Sequence, residues 1–316
     1  MPRTRLELAH RNRHHPLKVA CLPIPPSGRD CKYSSFFVKD KHKFCIFVPL
    51  LSDIGQIINY YNRIMVEIYG QQIAELEDLV DISDVLAKDG NFQKGLKKYV
   101  SNPFDADIER VAKGVFTLAV SKAESPSLDK FDDTIAVTRA NNEVLIKLTC
   151  VGARYLTTRN SDDRRINALG LVKSKKHITS MAFDCKGDTI YLVGNMDPDE
   201  NIDATHLNIL AKAIEQELVT SAHHISSNGL FLSLLECCVP NELGFDITGD
   251  AEIEDKEFLF GPSRYMAIVT VNGEQENEFV DFLFNNDVPV TLLGHVTKGE
   301  MRLDELSFGG VSDYVL

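Results

Sequence analysis

No stretch of this chain is apolar for long enough to span a bilayer. The longest run, "FCIFVPLL" at 44–51, falls well short of the roughly 18–20 residues a membrane helix needs. Surplus positive charge is missing as well: 34 Lys and Arg face 46 Asp and Glu, for a formal net charge of −12. Phosphate backbones are bound by the opposite balance, which excludes nucleic acid as the principal partner. A small anion remains compatible, because a local site can oppose the global sign. The seven cysteines lack the even count and spacing of a disulfide scaffold, and no signal-peptide pattern is present. Both absences fit a reducing, cytoplasmic setting. Internal repeats are absent too. So are a Gly-rich P-loop, a Rossmann fingerprint, a CxxC pair, HExxH and GxSxG, which leaves catalytic residues unassigned and removes the common nucleotide and hydrolase templates.

What is present suits a globular protein. A hydrophobic fraction of 44% with 25% charged residues supplies a sizeable core, and 316 residues suit two domains or one large one. Residues 1–45 hold ten Lys or Arg against three acids, include "PIPPSGRD" and keep no regular period. They read as a poorly ordered basic arm; the prolines and the missing amphipathic stripe fit an organellar transit peptide less well. From Gln56 to Tyr69, residues Ile57, Tyr61, Ile64 and Ile68 share a helical face that Gly70 would end. A second helix is expected from "SNP" at 101–103, capped by Ser101 or Asn102 and carrying Ile108, Val111, Val115 and Leu118 inward. After a Ser/Pro/Asp-rich break, "TIAVT" and "EVLIKLTCV" read as strands.

Beyond the charged "NSDDRR", the pattern sharpens. "DTIYLVG" is a buried strand ending on Gly194, "NMDPDENID" is an acidic loop, and Thr205–Thr220 is a helix striped by Leu207, Leu210, Ile214 and Leu218. The segment "LGFDI", the strand "YMAIVTV", the helix "NEFVDFLF" and the strand "PVTLLG" come next, and "GHVTKGEMRL" reads as a hairpin turning at Lys298–Gly299. Strands and helices mix without strict alternation, which points to an α+β fold.

Several groups bear chemistry. The pair His223–His224 offers a general base or metal ligands, but adjacent residues point apart and sequence places no further ligand, so no metal site is assigned. "HKFC" at 42–45, with Cys21 and Cys31 upstream, holds zinc-type ligands at unconventional spacing. Asp197, Asp199 and Asp203 could hold Mg²⁺, although an acidic run after a strand is more simply a solvated loop. Cys237 and Cys238 read as buried thiols. The sharpest candidate is the turn "SSNG". Ser226, Ser227 and Asn228 can cap a helix starting near Gly229, and the free N–H groups of that helix would face outward as a phosphate site.

The order of segments from Ala168 to Asp313 resembles the C-terminal half of an AIR-synthase-like (PurM-like) module, most closely the last such module of phosphoribosylformylglycinamidine synthase. The resemblance rests on "ALGLVKSKKHITSMAFDCKGDTIYLVG", "SAHHISSNGLF", "NELGFDI", "AEIEDKEFLFGPSR" and "LGHVTKGEMRLDELSFGGVSD". Upstream, "NPFDADIERVAKGVFTLAVSKA" resembles the family's Asn-Pro turn and following helix, and "AVTRANN" stands where a Gly-Asn-Val-Ser segment is usual. The departures cluster at the candidate turn. Against the family's A-H-D-V-S-D-G-G-L, His224 and Ser227 replace usual aspartates and Asn228 a usual glycine. Pro262, Arg264 and Met266 stand where Glu, Gln and Arg are usual, and an insert with a Ser-Glu-Tyr motif is missing.

With the basic arm read from composition at 1–45, the resemblance implies a divergent companion domain at 50–165 and a PurM C-terminal-like α+β domain at 166–316. It also implies an ancestry in ATP- and Mg²⁺-dependent conversion of the formylglycinamide ribonucleotide amide to an amidine, with ammonia from a glutaminase partner. With two carboxylates lost from the turn, this copy is expected to be partial and without turnover of its own. At most it would hold ATP or ADP, with Mg²⁺, at Ser226, Ser227, Asn228 and Gly229. The alternative expectation is a non-catalytic structural or oligomerisation module derived from the same family; the partners expected are a second copy in a homodimer or a longer synthase or glutaminase.

Overall fold

The computed structural model describes residues 66–315 except 74, 112–115, 125–133, 162–164, 198 and 263. The basic arm, the greater part of the Gln56–Tyr69 helix, and Cys21, Cys31, His42 and Cys45 lie outside the described residues. Contacts separate residues 1–64 from residues 65–316, and every described residue belongs to the second unit.

The first elements are β1 (Val66–Ile68), β2 (Gln71–Ile73), α1 (Asp78–Lys88), α2 (Gly90–Ser101), β3 (Asp107–Val111), β4 (Phe116–Glu124), α3 (Thr134–Cys150), β5 (Arg154–Ser161) and β6 (Arg165–Val172). Then come β7 (Thr189–Val193), α4 (Ala204–Glu215), β8 (Ser221–His224), α5 (Leu230–Cys238), β9 (Gly244–Ile247), α6 (Asp255–Phe260) and β10 (Ala267–Val271). The chain closes with α7 (Glu276–Phe284), β11 (Val290–Thr297), β12 (Glu300–Leu303) and β13 (Leu306–Gly310). Four strands form a sheet in the order β3-β4-β6-β5, and seven form a second in the order β13-β12-β9-β11-β7-β10-β8. The fold is α+β, as the segment pattern predicts. No helix among the described residues is long and apolar enough to cross a membrane.

The seven-stranded sheet is legible because its central strands are apolar throughout. Every residue of β7 and β10 is buried. Alternate side chains serve opposite faces. Ile190, Leu192 and Ile268 join one core with Phe231, Phe245 and Phe308, while Tyr191, Val193, Val269 and Val271 join another with Leu210, Ile214 and Phe279. The first core also takes Leu79, Leu86, Phe92 and Leu96 from α1 and α2. Tyr314 fixes this junction: its hydroxyl lies 3.0 Å from Phe308 O and 3.2 Å from Leu79 O, and its carbonyl accepts from Gln93 Nε2 at 2.7 Å.

Four expectations are corrected. The segment "TIAVT…EVLIKLTCV" is one helix, α3, not two strands. Its apolar residues fall on two stripes, with Ala140, Val144 and Leu148 facing the four-stranded sheet and Ile146 and Cys150 facing the α4 side. Added together, the stripes bury every second residue from 140 to 148, which mimics a strand. The "SNP" segment ends a helix instead of starting one. Ser101 closes α2 with its hydroxyl donated to Lys98 O at 2.9 Å, and Ile108 and Val111 lie in β3 and Leu118 in β4, with Val115 outside the described residues. Ile68 lies in β1, and Tyr69 and Gly70 form the turn into β2 with positive φ of 47° and 81°. Finally, Lys298–Gly299 turns the chain, but β11 and β12 do not pair. β9 lies between them, antiparallel to β11 and parallel to β12.

Candidate functional site

Gly229 fixes the candidate turn. Its φ of 94° and ψ of 175° lie in a region essentially restricted to glycine. A Cβ there would stand 2.6 Å from Leu259 O and 2.8 Å from Phe260 Cα, so the residue lets α5 start directly against the end of α6. The expected side-chain cap is absent: Gly229 is the N-cap residue of α5, with no side-chain cap bond. Ser226 and Asn228 are engaged locally instead. Asn228 N donates to Ser226 Oγ at 3.3 Å, and Ser233 Oγ accepts from Ser226 N and donates to Gly229 O, both at 3.0 Å. The bonds hold the turn by its own serines, so capping is not what these side chains do.

This turn forms one wall of a cleft of about 260 Å³. Ile225, Ser226 and Ser227 face Arg139, Asn142, Glu143 and Ile146 of α3, and Met196, Phe260, Pro262 and Tyr265 complete the lining. Gly229 and Asn228 are not among the lining residues. The acidic loop is bound to the same helix, since Asn142 Nδ2 donates to Glu200 O at 2.7 Å and its Oδ1 accepts from Ile202 N at 3.0 Å. Asp199 pairs with Arg139 at 2.6 Å, and Asp203 caps α4 by accepting from Thr205 N at 2.7 Å. Structural partners thus occupy two of the three carboxylates considered for Mg²⁺, and the third, Asp197, accepts from Asp199 N at 2.9 Å.

A second cluster lies at β8. His223, fully buried, bonds Asp105 Oδ1 through Nδ1 at 2.6 Å and Glu236 Oε2 through Nε2 at 2.9 Å. Burial pushes its pKa down, but the two carboxylates outweigh burial and hold it at about 9. Burial likewise pushes Asp105 up, and its two histidine neighbours override that to keep it well below the usual carboxylate range. His224 N donates to Asp105 Oδ2 at 2.8 Å. His224 Nδ1 also stands 3.2 Å from Asp105 Oδ2, an ion-pair contact off the line of a hydrogen bond. Tyr99 meets the His223 ring edge-on, with centroids 6.1 Å apart. Burial, reinforced by Asp105, pushes the Cys150 thiol up, and burial does the same for Cys237 and Cys238, which are inert core thiols. Sequence reasoning isolated the two histidines but not their carboxylates: Asp105 lies 118 residues from His223, and Glu236, 13 residues on, sits on an otherwise apolar helix with no mark that ties it to β8.

Comparison with known proteins agrees with this architecture. Residues 197–304 match the C-terminal domain of AIR synthase related proteins. Phosphoribosylformylglycinamidine synthase subunit PurL of Carboxydothermus hydrogenoformans is 30% identical over 162 residues, 44% of this chain and 22% of the relative. The chain therefore spans under a quarter of that relative's length. Among solved structures, T. maritima PurL complexed with FGAR superposes with a TM-score of 0.60 at 10% identity, covering 76% of this chain and 54% of that one. The same protein complexed with ATP gives a TM-score of 0.58 at 11% identity, covering 74% and 52%. At such identity the likeness shows the fold. Domain match, relatives and superposition converge on a single description: the chain carries a divergent, partial AIR-synthase-like (PurM-like) module similar to that of phosphoribosylformylglycinamidine synthase.

Proposed function

We propose that this chain is a degenerate relative of phosphoribosylformylglycinamidine synthase that holds an adenine nucleotide, ATP or ADP, in the cleft between α3 and the Ser226–Gly229 turn. In this reading it forms no amidine by itself. The supporting observation is the placement of Ser226 and Ser227, which face Arg139 and Asn142 across about 260 Å³. That is near the lower end of ligand clefts, roughly 300–1,000 Å³, and suits the phosphate and ribose part of a nucleotide. The helix α5 begins just beyond this turn, and the positive end of its dipole favours an anion nearby.

The same cleft argues against turnover. Phosphoryl transfer relies on metal ions that bridge phosphate oxygens and are held by protein carboxylates. Glu143 is the one carboxylate among the described lining residues, and it is ion-paired with Lys147. A Mg²⁺ ion would therefore be held chiefly by the nucleotide's own phosphates. A synthase or glutaminase partner would have to supply the missing chemistry.

Calorimetric titration of the full chain with ATP and ADP, with and without Mg²⁺, tests the reading. Micromolar binding that weakens in Arg139→Ala and strengthens in Ser227→Asp with Mg²⁺ is the expected result. Absence of heat from a demonstrably folded sample overturns it. That outcome would favour the oligomerisation module, for which β5 supplies one observation: this edge strand exposes Tyr155 and Leu156 side by side. Light scattering at increasing concentration reads that alternative directly.

A further inference from the structure

His224 carries a buried polar atom that the fold leaves without an aligned hydrogen bond. The residue is 3% exposed, and its Nδ1 has no hydrogen-bond partner. That nitrogen stands 3.2 Å from Asp105 Oδ2 without the alignment of a hydrogen bond. A buried imidazole nitrogen without an aligned partner is costly, and a metal ion shared with the carboxylate would satisfy both atoms. The separation is also the right one. Two ligands each about 2.0–2.1 Å from a tetrahedral zinc ion stand roughly 3.3 Å apart.

His223 extends the set. Its ligand atom lies within 4.8 Å of those of Asp105 and His224. Its other ring nitrogen is held by Glu236 at 2.9 Å, the carboxylate support by which a metal-binding imidazole is usually oriented. A small cavity of about 80 Å³ adjoins Asp105, His224, Tyr99 and Lys147, which provides both an entry path and space for a water ligand.

We propose that Asp105, His223 and His224 form a binding site for a divalent transition-metal cation, zinc in character, with water from the adjoining cavity as the fourth ligand. Two imidazoles and one carboxylate suit Zn²⁺ and its neighbours and are poor company for Mg²⁺ or Ca²⁺, which take oxygen. On binding, the proton now held between His223 Nδ1 and Asp105 Oδ1 leaves to solvent, and the His223 ring moves out of its 2.6 Å contact so that the freed nitrogen can coordinate the ion beside Asp105 and His224. Glu236 is a positioning residue here, acting through His223. The site shares no residue with the lining of the nucleotide cleft, so it stands whether or not nucleotide binds.

The test uses the full chain, freed of metal by chelator and dialysed against Zn²⁺ or Co²⁺ in the absence of nucleotide. Bound metal is measured by elemental analysis, and Co²⁺ coordination by visible absorption. Wild type is expected to hold one equivalent more than His224→Ala, with the absorption of a four-coordinate Co²⁺ site lost in the variant. Glu236→Gln should keep the equivalent but bind it about 10–100-fold more weakly, as is usual for loss of an outer carboxylate. His295→Ala, at an exposed position on β11, should change nothing. If His224→Ala fails to fold by circular dichroism, His224→Asn takes its place. Equal metal content in wild type and the His224 variants overturns the proposal by assigning the metal elsewhere, and absence of metal from wild type overturns it outright.

Discussion

Replacing Gly229 by alanine separates two roles that the structure assigns to this residue. Its backbone angles are essentially reserved for glycine, and holding a side chain there costs about 1–3 kcal/mol. The second cost is contact, since the new Cβ would meet Leu259 O at 2.6 Å and Phe260 Cα at 2.8 Å, both of them backbone and unable to swing away. Forcing such an overlap typically adds about 1–3 kcal/mol through displaced backbone. Gly187 provides the control. Its φ is 92°, yet a Cβ there would meet nothing within 4 Å, so Gly187→Ala isolates the conformational cost. In urea denaturation Gly229→Ala should lose about twice the stability that Gly187→Ala loses, and in thermal melts about 2–4 °C for each kcal/mol. Equal losses in the two variants would refute the claim that the glycine serves the approach of α5 to α6. An unchanged midpoint for Gly229→Ala would refute both costs.

Three further expectations rest on polar groups that the fold has paired. Asp105→Ala removes a partner of buried His223 and the acceptor of His224 N–H, and should cost about 3–5 kcal/mol in urea denaturation; a loss below about 1 kcal/mol would mean that water replaces it. Glu215 accepts from Arg154 Nε and from its Nη2, each at 3.0 Å, and pairs with Lys173. Burial raises its pKa, but these cations outweigh burial and leave it lowered. A folded-state value below the unfolded one means that the stabilisation is present above the unfolded value and is lost as pH falls through the folded value. Glu215→Gln should therefore lower stability at pH 7 but have little effect near pH 3, measured by denaturant midpoints at both. Asn142→Ala strands Glu200 O and Ile202 N, should cost about 1–3 kcal/mol, and should speed protease cleavage within 195–203; an unchanged cleavage rate would contradict the tethering role.

How far the sequence could be read depended on whether each element's burial was simple. β7 and β10 are buried on both faces, so continuous apolar runs announced them, and the Leu207–Ile214 stripe announced α4 in the same way. The helix α3 was misread because it serves two cores at once. At Lys298–Gly299 the local turn was legible, but β9 entering between its arms was not, because pairing with a strand some fifty residues earlier leaves no local mark. The same holds for the chemistry. "SSNG" was readable as a special turn, and its φ at Gly229 bears that out, whereas Arg139 and Asn142 across the cleft come from a helix about ninety residues upstream. Asp105 gave no signal at all, since nothing in "NPFDAD" sets it apart from Asp107 or from any other aspartate after a turn.

The stitching of Tyr314 to Leu79 and Gln93 sets a clock on synthesis. The helices α1 and α2 emerge early with Leu79, Leu86, Phe92 and Leu96 on their apolar faces, yet the tyrosine that fastens them is at position 314. At about 5–20 residues per second, the ribosome takes roughly 10–40 s to travel from the end of α2 to that residue. Throughout that interval the early helices present a greasy surface that only the finished sheet can cover. This architecture therefore leaves α1 and α2 in need of holding chaperones until Tyr314 has been made, so a demand raised by two helices is met only by a residue more than two hundred positions later.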